Sequence, residues 1–270
     1  MARKVISNIF KLVAGFVFFI PITWMLVSSL KTNNEIILDP IGLPEKLNFS
    51  NYISAWVTAN FGSYFLNSVI IVIGAMILLV FVCTLAAYAF ARFKVPLKNV
   101  ILYIVLFGLI IPNMMLIFPI YRFFDRVGLM NNLFGLILLY VAFGIPFSVF
   151  ILRSYFLSFP TELEDAALID GCNRFSTFFR IVLPASKGAI STVLIFQFIG
   201  FWNEFVFAYL LLNSDKLRPV SAGLGNFSSM FKTDYAGLFA ASSIATVPVL
   251  IIFLIFQRYF IEALAGSLKG

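Results

Sequence analysis

Polar and apolar positions alternate in long blocks rather than at short period. Six apolar runs stand out, at about 12–30, 64–91, 99–119, 133–152, 188–212 and 238–257. Each clears the roughly 18 residues needed to cross a bilayer as a helix, so the pattern predicts an all-α membrane protein with six transmembrane helices in a single domain, 1–270. The first run follows Arg3, Lys4 and Lys11 and begins like a secretion signal. It is too long for a signal core, however, and Ser28-Ser29-Leu30-Lys31 is a poor cleavage site, so it is expected to stay as the first span. Pro112, Pro146 and Pro248 fall inside spans, where each frees a backbone carbonyl and bends its helix.

The stretch between the fourth and fifth runs breaks this pattern. From Ser154 to Lys187 it carries Glu162, Glu164, Asp165, Asp170, Arg174, Arg180 and Lys187. At about 3 kcal/mol per charge at the bilayer centre, burying all of them costs roughly 20 kcal/mol. The stretch therefore lies outside the hydrocarbon. Its spacing predicts a helical hairpin over about 160–184. Pro160 suits a helix start, and Thr161 with Glu164 fits a capping box. Gly171 supplies the left-handed stop. A second helix from about Asn173 presents Phe175, Phe178, Phe179 and Val182 on one face and ends at Pro184. That aromatic face needs cover, from the chain's own helix ends or from another protein.

Composition narrows the function. The chain is 61% hydrophobic and 11% charged, far from the quarter charged of soluble domains. It has no histidine, which excludes Ser-His-Asp and Cys-His centres and leaves no usual zinc site. The two cysteines, Cys83 and Cys172, fall in a span and in the charged loop and imply no disulfide. No Gly-x4-Gly-Lys-Ser/Thr phosphate loop is present, so the chain is not expected to bind or hydrolyse ATP itself. The net charge of +7 does not point to nucleic acid, because the bases are spread among loops. Twelve of the nineteen Lys and Arg residues fall on the face holding both termini and the charged hairpin. That face is cytoplasmic by the positive-inside rule.

Glu204 is the one ionisable residue inside a predicted span, in Trp202-Asn203-Glu204-Phe205. A carboxylate there costs about 3 kcal/mol, which the apolar residues of its span offset, but it should not face lipid. Three roles stay open: hydrogen bonding to a hydroxylated substrate, a helix contact at a gate, or a structural hydrogen bond with Asn203.

The hairpin carries a specific resemblance. Asp165-Ala166-Ala167, three residues, Gly171, nine residues, then Ile181-x-Leu183-Pro184 resembles the EAA loop of ABC-importer permease subunits. The spacing matches throughout; the departure is Asp165 where that pattern has Glu. The Trp-Asn-Glu-Phe run resembles the carbohydrate, maltose-type, branch. The resemblance implies a binding-protein-dependent importer of a sugar or related polyol in the cell membrane, with both termini cytoplasmic. It implies a homologous second permease, in a heterodimer, and two ATP-binding subunits that hold the ATP. It further implies an extracytoplasmic solute-binding protein, which the loop 213–237 would face if it is more than a solvated connector. Glu164, Asp165, Ala166, Ala167, Gly171, Phe175, Phe178, Ile181, Leu183 and Pro184 would couple to the ATPase. Asn203 and Glu204 would be candidates for the pathway. The alternative class is a gradient-driven secondary transporter or channel using Glu204; a scaffold or intramembrane enzyme has no catalytic dyad to support it.

Overall fold

The computed structural model describes residues 2–94, 96–228 and 233–267, with side chains for 15–57, 59–94, 96–228 and 233–257. Arg3, Lys4, Lys11, Lys232, Arg258, Glu262 and Lys269, which enter the charge count above, lie outside the described side chains. Helices dominate: α1 (Ala2–Ser28), α2 (Asn33–Leu38), α3 (Phe61–Arg92), α4 (Lys98–Phe107), α5 (Ile117–Arg126), α6 (Leu133–Ser158), α7 (Thr161–Ile169), α8 (Arg174–Ala185), α9 (Lys187–Asn203), α10 (Val206–Leu211) and α11 (Tyr235–Ser267). Among the described residues the only β pairing is an isolated bridge, Ser228 with Thr233.

Among the described residues, three helices are individually long and apolar enough to cross a membrane: α3, α6 and the Tyr235–Gln257 part of α11. α8 and α9, joined at a 70° bend, make a fourth if taken as one span. The runs at 99–119 and 188–212 are not continuous helices. The former leaves the helix after Phe107, passes Gly108–Pro112, and resumes in a 3-10 turn at Asn113–Leu116 before α5. Pro112, five residues past that stop, lacks an N–H and holds Ile111 out of the helical region, so the helix does not resume before it. Gly108 sits there because α6 is close: a Cβ at 108 would come 2.8 Å from Pro146 Cγ. Pro146 itself lies inside an unbroken α6, and Pro248 inside an unbroken α11. α4, with ten residues, rises only about 15 Å, half the hydrocarbon thickness.

The chain forms two compact units, Met1–Leu66 with Pro219–Val249, and Asn67–Arg218 with Leu250–Gly270. In the first, polar side chains organise the irregular backbone after α1. Asn51 Nδ2 donates to the carbonyls of Ser29 and Lys31, both at 2.8 Å. Lys31, 1% exposed, donates through Nζ to the carbonyl of Asp39 at 2.7 Å. Asn33 Nδ2 donates to Asp234 Oδ1, and the Ala236 N–H returns a bond to Asn33 Oδ1, each at 3.0 Å. The Glu35 carboxylate accepts the N–H of Thr32 at 2.6 Å and of Glu45 at 2.9 Å. The Thr32 bond leads the interactions that hold its pKa below the ordinary 4.5. A carboxylate depressed on folding contributes its full stabilisation above the ordinary value and loses it as pH falls through the lower folded one. Amide exchange at Thr32 and Glu45 should therefore lose protection, beyond the intrinsic trend, only below pH 4.5; unchanged protection on acidification would contradict the assignment.

The second unit has a core of α3, α6 and α9. α3 buries Ile71, Ala75, Leu79, Cys83 and Ala87, an i, i+4 stripe. α6 contributes Leu136, Tyr140, Val149 and Leu152, and α9 Val193, Ile195, Phe198, Phe201 and Trp202. Gly144 of α6 leaves room for Leu79 and for Gln197, whose Nε2 donates to the Gly144 carbonyl at 3.3 Å. The Gln197 amide and the Ser148 hydroxyl, both between apolar helices, are thus each paired with the Gly144 carbonyl.

Candidate functional site

The charged stretch folds as two short helices around a glycine turn, all within the second unit. α7 opens at Pro160, which takes the cap position with an extended ψ of 124° and offers no side-chain cap. The capping box expected from Thr161 and Glu164 does not form. Its acidic member is used elsewhere: Glu164 is 4% exposed and turns inward. Its Oε1 accepts from Arg92 Nε at 2.7 Å, and its Oε2 from the Tyr88 hydroxyl at 2.7 Å. Arg92 Nη2 also donates to the carbonyl of Phe159, which caps α6, at 2.8 Å. Buried charge-assisted bonds exceed what an exposed capping box contributes, so the carboxylate is drawn inward.

Gly171 ends the first limb at φ +87°, a conformation that a side chain with a Cβ disfavours. The Cys172 N–H bonds back to the Ala167 carbonyl at 2.9 Å and closes the turn. Asn173 caps α8, its Oδ1 accepting from the Ser176 N–H at 2.8 Å, as the sequence predicts for a second helix there. α8 widens into a π turn over Phe178–Val182 and ends at Leu183–Ala185. The break falls two residues after Pro184, at Ser186, whose hydroxyl donates to the Val182 carbonyl at 2.6 Å.

The aromatic face divides. Phe178 is 2% exposed, its ring 4.8 Å from that of Tyr88 and 6.4 Å from that of Phe156. It braces the hairpin on the ends of its own spans. Phe175 is 68% exposed, its ring tilted at 51° against that of the half-buried Phe179, 4.6 Å away. Ala167 is buried, Ile181 and Leu183 are half-buried, and Pro184 is exposed. The outward face therefore mixes the charges Glu162, Asp165, Asp170 and Arg174 with the apolar side chains Leu163, Ala166, Ile169 and Phe175, which a water-facing hairpin would not ordinarily leave bare.

Glu204 occupies the break between α9 and α10, in extended backbone with ψ 121°. Its Oε1 accepts the Phe207 N–H at 2.8 Å and its Oε2 the Ala208 N–H at 3.0 Å. These are orphan donors of the first turn of α10, and a carboxylate at that end also suits the helix dipole. Oε2 accepts in addition from the Tyr140 hydroxyl at 2.9 Å, and the Tyr140 ring stacks on Phe201 at 5.1 Å. Asn203 does not pair with it; its Nδ2 donates to the Ile199 carbonyl of its own helix at 2.8 Å. The structure thus brings Glu164 together with Tyr88 and Arg92, and Glu204 with Tyr140. None of these three partners stood out in the sequence. Tyr88 and Arg92 are one helical turn apart, the one signal available, because i, i+4 residues share a face.

Residues 84–265 match the family described as binding-protein-dependent transport system inner membrane component. The diacetylchitobiose uptake system permease protein of Streptomyces coelicolor is 40% identical over 98% of this chain and 87% of its own length. The trehalose/maltose transport system permease protein of Thermococcus litoralis is 32% identical over 99% and 98%. The arabinooligosaccharides transport system permease protein of Bacillus subtilis is 30% identical over 99% and 96%. A chain from the crystal structure of a bacterial ABC transporter that imports the acidic polysaccharide alginate superposes with a TM-score of 0.84. It does so at 19% identity, over 96% of each chain, and so shares the fold.

Proposed function

Since this chain belongs to the binding-protein-dependent transport inner membrane component family, we propose that it is a permease subunit of an ATP-driven importer of oligosaccharides or related sugars. In this reading the chain is multi-pass, with six spans and both termini in the cytoplasm. α4, with the chain from Gly108 to Pro119, serves as the third span, and α9 and α10 as the fifth. A second, homologous permease completes the path, since six helices are few to enclose a sugar. Two ATP-binding subunits hold the nucleotide, and a solute-binding protein outside delivers substrate. The chain carries no cofactor and catalyses no step itself.

The observation that carries the reading is the outward face of the 160–184 hairpin. Leu163, Ala166, Ile169 and Phe175 are exposed among the charges Glu162, Asp165, Asp170 and Arg174 on a glycine turn between apolar helices. Such a tip suits a groove on a soluble partner, with Asp165 pairing to a basic or amide group at the rim. Nucleotide-driven closure of the ATPases moves the docked hairpins and rocks the helices joined to them, switching access from one side to the other. Ala166 is the position for testing contact, because Ala167, its neighbour in the motif, is buried. In the assembled complex an Ala166→Cys variant should crosslink to an ATPase subunit. Proteoliposomes holding the full complex should take up diacetylchitobiose, trehalose or maltose only with ATP and binding protein. Uptake by this chain alone under an ion gradient would overturn the proposal.

A further inference from the structure

We infer that Arg92, Glu164 and Tyr88 form a latch that makes the hairpin and the end of α3 move as one body, so that docking forces reach the second span directly. The inference rests on the proposed docking of the hairpin to an ATPase. Through the chain itself the hairpin is tied only to α6 before it and to α9 after it. α3 ends at Arg92, nearly seventy residues earlier in sequence, and has no covalent share in the hairpin's motion.

Both limbs of the hairpin nevertheless grip the last turns of α3. The first limb sends in Glu164, which takes one bond from Arg92 Nε and one from the Tyr88 hydroxyl, each 2.7 Å. The second limb sends in Phe178 against the Tyr88 ring. Arg92 closes the arrangement by holding the Phe159 carbonyl at the end of α6. The Arg92 and Glu164 side chains are 10% and 5% exposed, so water does not replace these bonds when the hairpin is pushed. Two directional bonds to a single carboxylate resist both sliding and rotation, which apolar contact alone does not. Arg92 and Glu164 are thus positioning residues for energy coupling. Glu164 acts inward on α3, while its neighbour Asp165 faces out.

The test uses the complete complex, with both permeases, the ATPases and the binding protein, in proteoliposomes. Transport of diacetylchitobiose, trehalose or maltose, whichever the native complex accumulates, is measured per ATP hydrolysed. Glu164→Gln keeps the shape and an acceptor for Tyr88 but removes the ion pair. It should leave the complex assembled and hydrolysing ATP while solute moved per ATP falls on the order of tenfold. Arg92→Lys keeps the charge and should recover a part of that loss. A merely structural role would lower assembly, hydrolysis and transport together and leave their ratio at the native value. A native ratio in Glu164→Gln, or that parallel loss in both variants, overturns the latch. The Ala166→Cys crosslink to the ATPase, read in the same preparations, separates the two claims. A crosslink with a native ratio sinks the latch alone, and no crosslink in an active native-like complex sinks the docking reading on which it rests.

Discussion

Replacing Arg92 by Ala is expected to destabilise the second unit by about 3–5 kcal/mol, the cost of removing one partner of a buried ion pair. The Glu164 carboxylate would stay buried with the Tyr88 hydroxyl and without its cation. The Phe159 carbonyl would also lose its Arg92 donor at the end of α6. The pairing itself is not what is lost in full, because both ions pay desolvation to enter the interior. A double variant, Arg92→Leu with Glu164→Leu, should therefore be clearly more stable than Arg92→Ala. Thermal unfolding of the purified complex in one detergent orders the three proteins. If Arg92→Ala melts with the native protein, the pair is a solvated surface contact and the account of the hairpin's base is wrong.

The second large effect belongs to Glu204. Glu204→Ala should cost about 2–4 kcal/mol, because it uncaps the first turn of α10 and strands the Tyr140 hydroxyl, each a matter of one to a few kcal/mol. Two backbone donors and one side-chain donor converge on this carboxylate, at 2.8, 3.0 and 2.9 Å. Glu204→Gln is the discriminating substitution. It retains one acceptor oxygen and the shape, so transport by the complex should survive at reduced stability. A gradient-driven carrier that used Glu204 as its proton or ion site would lose transport altogether with the charge. Complete loss of uptake in a Glu204→Gln complex that melts within a few degrees of the native one would revive that alternative.

The two carboxylates were unequally legible. Glu204 drew notice because a lone acid in an apolar run is expensive and so must have a partner. Its partner is not the sequence neighbour offered by one of the three open roles. Asn203 is adjacent in sequence, but successive helical positions point about 100° apart, and the Asn203 amide bonds to its own helix instead. Tyr140, more than sixty residues away, takes the role because α6 packs against α9. Glu164 suits a local cap by sequence because Thr161 stands three residues before it, a pattern whose two members suffice on an isolated helix. Here α3 lies alongside with a buried guanidinium, and a charged partner in a dry site outcompetes a solvated backbone N–H.

Where short-range rules govern, the sequence alone determined the outcome. The apolar blocks, the Gly171 turn at φ +87° and the start of the second hairpin helix at Asn173 each depend on a handful of consecutive residues. The family also followed from residues spaced along one hairpin. Tertiary structure decided the rest. It broke the 99–119 and 188–212 runs, turned Glu164 inward and Asp165 outward, and split the phenylalanine face into a buried brace at Phe178 and a bare tip at Phe175. The reason is that these choices compare a residue's neighbours in the chain with neighbours brought from another helix. Period and spacing describe one helix's faces, but not which face a distant helix will cover.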